Sequence, residues 1–378
     1  MKVVALTRTD SRGPSTRYRI EQYAPLLAAR GIEVTTRPLF GARWFALLER
    51  PAGAGRTLGK AFESARRLAA RFGQVLAARD SDADLVLVEQ QLFPYLPAWV
   101  EGLLWPRRQP TVLEFDDAIY LTRGHRAKLE RLCARADVVI VGNETLAEFA
   151  RPHARRVCVV PTTVDLARYE RAREIQRARR AEDDGVLRVG WIGLRYNFPF
   201  LEELAPPLAR LAAEGHDVEL RVISSGRPPD APVWGGVRLV HRPWSEATEA
   251  EELGACDVGI MPLPDTAWAR GKCGLKLLQS LAAAVPAVAS PVGVNERIVT
   301  EGETGLLAAD GEGWLAALRR LAEDRPLRER LGEAGLRSIK DHFSIERGAE
   351  KVAEAYGLAT ARAEGDGDSA PPAPATRR

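Results

Sequence analysis

Short apolar runs rich in Val and Ile recur along the chain, separated by stretches long enough for a helix. In the first half they fall at residues 2–7, 32–39, 84–90, 111–117, 137–143 and 157–163. In the second half they fall at 187–193, 217–224, 237–244, 257–263, 285–292 and 304–310. Runs that are apolar on both faces and alternate with helical segments predict parallel strands covered by helices on both sides. The pattern predicts an α/β protein of two Rossmann-like units, each with a parallel sheet, facing a central cleft. Residues 168–185 are charged and poor in large apolar side chains, which suits a linker or an exposed helix near a boundary. The expected units are residues 1–180 and 181–345. Residues 346–362 are expected to form a helix packing back on the first unit. Residues 363–378 lack large apolar side chains and are expected to be disordered.

Composition narrows the function. Lys and Arg number 54 against 51 Asp and Glu, a net charge of +3. Such balance does not argue for a nucleic-acid partner. No apolar run reaches the roughly 18–20 residues of a membrane span, and MKVVALT lacks the long apolar region of a signal peptide. The four cysteines are widely spaced and the five histidines show no ligand spacing, so no metal site is expected. The expected location is the cytoplasm. One segment departs from the balance. Residues 43–79 carry eight Lys/Arg against two Asp/Glu, with Trp44 and Phe45 at the start. A basic helix with aromatics can lie on an anionic membrane, here the inner membrane surface. A charged surface helix is the alternative.

Ligands of parallel sheets bind beyond the carboxyl ends of the strands. The most informative such segment is WARGKCGLKLLQSLAAAVPAVASPVGVNERIV, residues 268–299. A loop leads into a helix expected to begin near Cys273, and a helix start favours anions. Arg270, Lys272 and Lys276 surround it. Lys276 and Gln279 are three apart and project together, able to hold a phosphate and a hydroxyl pair. A solvated helix face is the other reading. Gly293, in the loop Pro291–Asn295, permits close backbone approach to a ligand.

In the first half, Arg8, Arg12, Arg17 and Arg19 lie in RTDSRGPSTRYR, residues 8–19, which has no nicotinamide fingerprint. Ser15, Thr16 and Arg17 there open a helix and are candidates for a donor phosphate or an acceptor. Asp116 and Asp117 end the fourth run. Neighbours in a strand point to opposite faces, so one is expected in the cleft and the other in a structural hydrogen bond. Asn143 is expected to cap a helix. Trp268 is a candidate for contact with a base or sugar.

The segment GKCGLKLLQSLAAAVPAVASPVGVN, with EGETGLL at 301–307, resembles the donor-binding motif of family-4 glycosyltransferases, retaining enzymes of the GT-B fold. WIGLRYNFPFLEEL (191–204), VPTTVDLARY (160–169) and STRYRIEQYAPLLAARGIEV (15–34) extend the resemblance, notably to a bacterial subgroup with an RGKCG-type donor loop. The resemblance implies a first unit that binds the acceptor and a second that binds a nucleotide-diphosphate sugar. The sugar is a co-substrate of unknown base, and no cofactor is required. It implies donor contacts at Gly193, Arg195, Arg270, Gly271, Lys272, Cys273, Gly274, Gln279, Val292, Gly293, Val294 and Asn295. Asp116, Asp117 and Lys276 take the chemistry, with metal-independent, retaining transfer. A carbohydrate or lipid-linked acceptor and a role in surface glycan synthesis follow as expectations. The family's two glutamates fall here on Gly271 and Gln279. That departure leaves open a degenerate nucleotide-binding subunit. An epimerase or phosphorylase on the same fold is a further alternative.

Overall fold

The computed structural model describes residues 1–51, 53–182, 184–228 and 234–361. The expected tail, residues 363–378, lies outside them. Among the described residues, twelve strands form two sheets, and their pairings are all parallel. The first sheet holds β1 (Lys2–Leu6), β2 (Glu33–Thr36), β3 (Leu85–Glu89), β4 (Thr111–Phe115), β5 (Val138–Val141) and β6 (Val157–Val159). Their order is β2-β1-β3-β4-β5-β6. The second holds β7 (Val186–Ile192), β8 (Asp217–Ser224), β9 (Arg238–Pro243), β10 (Val258–Met261), β11 (Ala287–Ala289) and β12 (Gly305–Leu307). Their order is β12-β11-β10-β7-β8-β9. Every apolar run of the sequence becomes a strand. The central β3, β4 and β5 are buried at every position, which is why they read as continuous apolar runs.

Order reverses between β1 and β3 in the first sheet and between β7 and β10 in the second. At such reversals the crossing helices leave to opposite faces and open a crevice at the strand ends. These two crevices position the candidate site.

The charged segment around residue 175 is not a free linker. Glu170–Ala181 is a helix whose Ala172 and Gln176 are buried, and Gln176 donates to the Cys256 carbonyl at 2.7 Å. A Cβ on Gly254 would stand 2.4 Å from the Ala172 carbonyl oxygen, so the helix seats on the second lobe through a glycine gap. The chain returns to the first lobe after residue 343. Ile345–Thr360 is a helix whose Ile345, Val352 and Tyr356 pack among Val3, Leu85, Val112 and Val138. Each such buried side chain contributes on the order of 1.5–3 kcal/mol. The two crossings lie side by side, with Val164 bridged to Ser344.

Candidate active site at the lobe interface

The donor-like segment begins where Pro262 and Pro264, which lack an N–H, end β10. Thr266 caps the short helix Ala267–Arg270, accepting from the Ala269 amide at 3.2 Å. Gly274 then takes a left-handed φ of 70° and leads into the helix Leu275–Ala282. That helix is buried nearly all round, with Gln279 and Ser280 each 3% exposed. The alternative reading of a solvated helix face does not hold, because the lobes close over the polar side as well.

Lys276 is half-buried, and its ammonium lies 5.7 Å from the centre of the Trp191 ring. A Cβ on Gly193 would stand 3.1 Å from the Lys276 Cε, so glycine leaves the lysine its place beside the end of β7. Burial, with Lys272 nearby, pushes the Lys276 ammonium down to about 8. Lys272 bonds Asp117 Oδ1 at 3.0 Å, which raises its pKa despite burial. Its ammonium is also 5.5 Å from the Trp268 ring. Trp268 itself packs against the apolar core of the first lobe.

Arg270 stands apart from these lysines. It pairs with Asp265 at 2.6 and 2.8 Å and is 57% exposed. The expectation of three cations around one anion is corrected to two. Arg195 is exposed and lies along Gly226. Asn295 is fully buried and donates to the Ser290 carbonyl at 3.0 Å, a loop-bracing bond. Gly293, at φ 59°, lets the Val292–Val294 turn approach the Arg270 backbone, where a Cβ would stand 2.7 Å from its carbonyl oxygen. Val292 also lines a cavity of about 290 Å³ with Pro262, Leu263, Ser290 and Trp314.

Across the cleft, Asn143 does more than cap. Its Oδ1 accepts from the Leu146 amide at 3.0 Å, while its Nδ2 reaches the carbonyls of Gly271 and Lys272, each at 3.0 Å. The Cys273 thiol donates to the Asp116 carbonyl at 3.1 Å. It fits because Gly142 has no side chain, a Cβ there standing 2.2 Å from the sulfur. Asp116 is half-buried, with its Oδ1 shielded and unpartnered. Burial and Asp117 raise its pKa, while Arg19, Ser15 and Lys272 oppose the rise. Glu144 instead pairs outward with Arg151.

Beneath Asp116 lies a carboxylate group that sequence reasoning missed. Glu89 and Glu114 are register partners on β3 and β4, both buried. Glu89 accepts from the Arg8 amide and the Thr16 hydroxyl, each at 2.8 Å, and burial pushes it up to about 7. Glu114 holds Arg19 at 2.7 Å, and burial raises it too. In the sequence each glutamate is one polar letter at the end of an apolar run, with nothing to mark the pairing.

A second missed group joins the lobes. Glu249, 3% exposed, accepts from Tyr18 Oη at 2.8 Å, Trp244 Nε1 at 2.7 Å and Arg17 Nη2 at 3.3 Å. Gln279 Nε2 donates to the same Tyr18 hydroxyl at 3.1 Å. The Arg17 guanidinium lies 5.3 Å from the Trp244 ring. Arg17 and Gln279 are thus held by protein partners at the reversal between β7 and β10. Tyr196, 70% exposed at the cleft mouth, has its hydroxyl in the field of Lys272, Asp117 and Arg8. Among the described residues, no group of three or more His, Cys, Asp or Glu side chains is placed to hold a metal ion.

Two parallel sheets whose carboxyl ends meet across such a cleft define the GT-B fold of glycosyltransferases. Residues 186–324, spanning β7 to the helix after β12, match the family described as glycosyl transferases group 1. A D-inositol 3-phosphate glycosyltransferase from Corynebacterium urealyticum is 27% identical over 316 residues, 72% of either chain. Sucrose-phosphate synthase from Thermosynechococcus elongatus superposes with a TM-score of 0.67 at 15% identity, covering 96% of this chain and all of that one. HepE from Anabaena, solved with UDP and glucose, superposes at 0.62 and 15% identity, covering 94% and 99%. Together these likenesses support glycosyltransferase as the enzyme class. Among the described residues, no helix is long and apolar enough to cross a membrane.

Proposed function

We propose that the protein transfers a sugar from a nucleoside diphosphate donor to an acceptor hydroxyl, with retention at the anomeric carbon. The observation that carries this reading is Lys276. It is an ammonium with no hydrogen bond or ion pair among the described residues, held at the β7–β10 reversal beside Lys272. A half-buried, uncompensated cation is costly unless an anion completes it. A diphosphate supplies that anion. HepE, on the same fold, was solved with UDP.

In the proposed reaction the bond from the anomeric carbon to the diphosphate oxygen breaks. The acceptor oxygen attacks from the same face, and its proton passes to the departing phosphate oxygen. Lys276 and Lys272 stabilise the charge that develops there. Asp117 orients Lys272, and Asp116 lines the acceptor side with Ser15. Gln279 reaches the ribose once Tyr18 releases it. Closure of the lobes excludes water and protects the donor from hydrolysis. The acceptor class that fits is a carbohydrate or a lipid-linked sugar, in glycan synthesis.

One feature favours a second reading, a nucleotide-binding subunit without transfer. Gly271 has no room for a side chain and Gln279 is held by Tyr18. Thermal stabilisation by UDP, GDP, ADP, dTDP and CMP separates the cases, using wild type and Lys276→Ala. A ligand at about 100 times its dissociation constant adds roughly 2.7 kcal/mol. Stabilisation by one diphosphate, lost in the variant, followed by turnover of the matching nucleotide sugar, supports the transferase. Stabilisation without turnover or hydrolysis selects the second reading, and no stabilisation overturns both.

A further inference from the structure

The long helix Ala54–Arg79 is apolar on its outer face as well as on its inner one. Val75 and Ala78 join the core of the first lobe with Leu68 and Phe72, and most of its polar side chains turn inward beside them. Arg67 and Gln74 donate to the Pro38 carbonyl at 3.0 and 3.4 Å, and Arg71 donates to the Thr7 carbonyl. Glu63, 1% exposed, is held by Arg66 at 2.6 Å and Arg43 at 3.5 Å. The outer side carries Leu58, Phe62, Ala65, Ala69, Gly73 and Leu76 instead. Arg66 is the only charged residue of this helix, among those described, in the exposed class. A water-facing helix normally shows the reverse arrangement.

The large exposed side chains gather near the cleft edge of the lobe. Leu58 and Phe62, 70% and 62% exposed, lie in the first turns of the helix, which follows β2 after the short helix Ala42–Glu49. Tyr95 and Trp99, in the stretch that follows β3, are 56% and 68% exposed. Phe40 connects the two groups, stacked on Trp44 at 4.3 Å and 6.5 Å from Tyr95. Cations rim this surface. The Arg43 guanidinium lies 5.9 Å from the Phe62 ring, and the Lys60 ammonium 5.3 Å from the Trp44 ring. Arg43 and Arg66 share the buried Glu63 and Arg71 is itself buried, but the eight cations of residues 43–79 still outnumber their two acids, so this surface is cationic.

An apolar face of this kind needs a cover. A second copy of the chain would bring two cationic rims together, which disfavours self-association. An anionic lipid surface satisfies both features at once, since the acyl boundary takes the apolar side chains and the headgroups take the cations. We infer that this face docks on an anionic membrane, with Leu58 and Phe62 entering the acyl boundary and Arg43 and Lys60 at headgroup level. The sequence suggested a membrane contact through the basic residues of 43–79 and the aromatics Trp44 and Phe45. The inference rests instead on the apolar face that those charges leave bare. The inference does not rest on transfer chemistry.

Vesicle flotation of the full chain tests it, with phosphatidylcholine alone and with an equal mixture of phosphatidylcholine and phosphatidylglycerol. Wild type should float with the mixed vesicles and stay in solution with the neutral ones. Leu58→Ser with Phe62→Ser should lower flotation by about tenfold or more, and Arg43→Glu with Lys60→Glu should abolish it. Leu58 and Phe62 are well exposed, so melting temperature and nucleotide binding should hold in that variant, which separates loss of docking from misfolding. Arg43 also pairs with the buried Glu63, so Lys60→Glu alone, which should weaken flotation at unchanged melting temperature, is the charge control. Absence of flotation with mixed vesicles overturns the inference. So does flotation indifferent to the Leu58/Phe62 change. A concentration-dependent dimer in light scattering, dispersed by that same change, overturns it in favour of a second copy.

Discussion

Gly271 faces Ala118 so closely that a Cβ on the glycine would stand 2.6 Å from the alanine methyl carbon. The two residues belong to opposite lobes. A side chain at 271 therefore competes with closure. The glutamate that resembling enzymes carry at this position has no space while the lobes touch here. Gly271→Glu should hold the lobes apart. Small-angle scattering should show a larger radius of gyration, and transfer should fall by about a hundredfold or more with nucleotide binding kept. An unchanged radius with unchanged activity would show that Ala118 yields instead.

Tyr18 and Glu249 tie the lobes from the other side. The phenol donates to one carboxylate oxygen while Arg17 and Trp244 occupy the rest of that group. Glu249→Ala leaves the Arg17 guanidinium buried without its closest partner, which costs about 3–5 kcal/mol. Tyr18→Phe removes hydrogen bonds but no charge, and should cost about 1–2 kcal/mol. Chemical denaturation of the two variants checks the order. If Gln279 is the ribose contact, Tyr18→Phe should also tighten nucleotide binding, because the amide no longer has to leave a partner.

What could be read from the sequence divides along physical lines. Strands buried on both faces write themselves as apolar runs, so all twelve were legible, down to the charged residues that close them. Glycines that admit a neighbour, such as Gly142 under Cys273 and Gly193 under Lys276, stood within strand-end motifs. Partners were not legible. Lys272 with Asp117 and Asn143 with Gly271 join residues more than a hundred positions apart, and no local pattern encodes which polar letters meet. Arg270 misled for the same reason. Its proximity in sequence to Lys272 said nothing about Asp265, five residues earlier, which takes its charge.

Glu89 gives the fold a pH response with a definite sign. Its carboxyl sits at about 7, above the ordinary 4.5, because burial disfavours the charge. Between those values the native state holds a proton that the unfolded chain has lost. Stability from this group is full below about 4.5 and is lost as pH rises through about 7. Glu89→Gln imitates the protonated form, since the second carboxyl oxygen, Oε1, has no partner to lose. The variant should match wild type near pH 5 and become the more stable of the two by pH 8. Melting temperatures across that range decide it, and parallel curves would refute the assignment.

Lys276 sets stability against function. Its ammonium falls to about 8 from 10.5, chiefly because burial strips its solvent. Between those values the unfolded chain binds the proton that the native state gives up, so stability rises with pH through that window. Lys276→Met removes the cost of the charge while keeping the stem that lies on Gly193. It should melt higher than wild type at pH 7, by about 1 kcal/mol or more, and the gap should close by pH 10. The same ammonium is what a diphosphate needs. Affinity of wild type for its nucleoside diphosphate should be level below pH 8 and fall by up to about tenfold per pH unit above it. In Lys276→Met, binding should be weak and should not follow that pH curve. Calorimetric titrations at pH 7 and 9 on both proteins read the two effects together. A methionine variant that is more stable and no longer binds would show that the site holds this charge for a ligand. One that is less stable and still binds would show that the lysine serves only the fold.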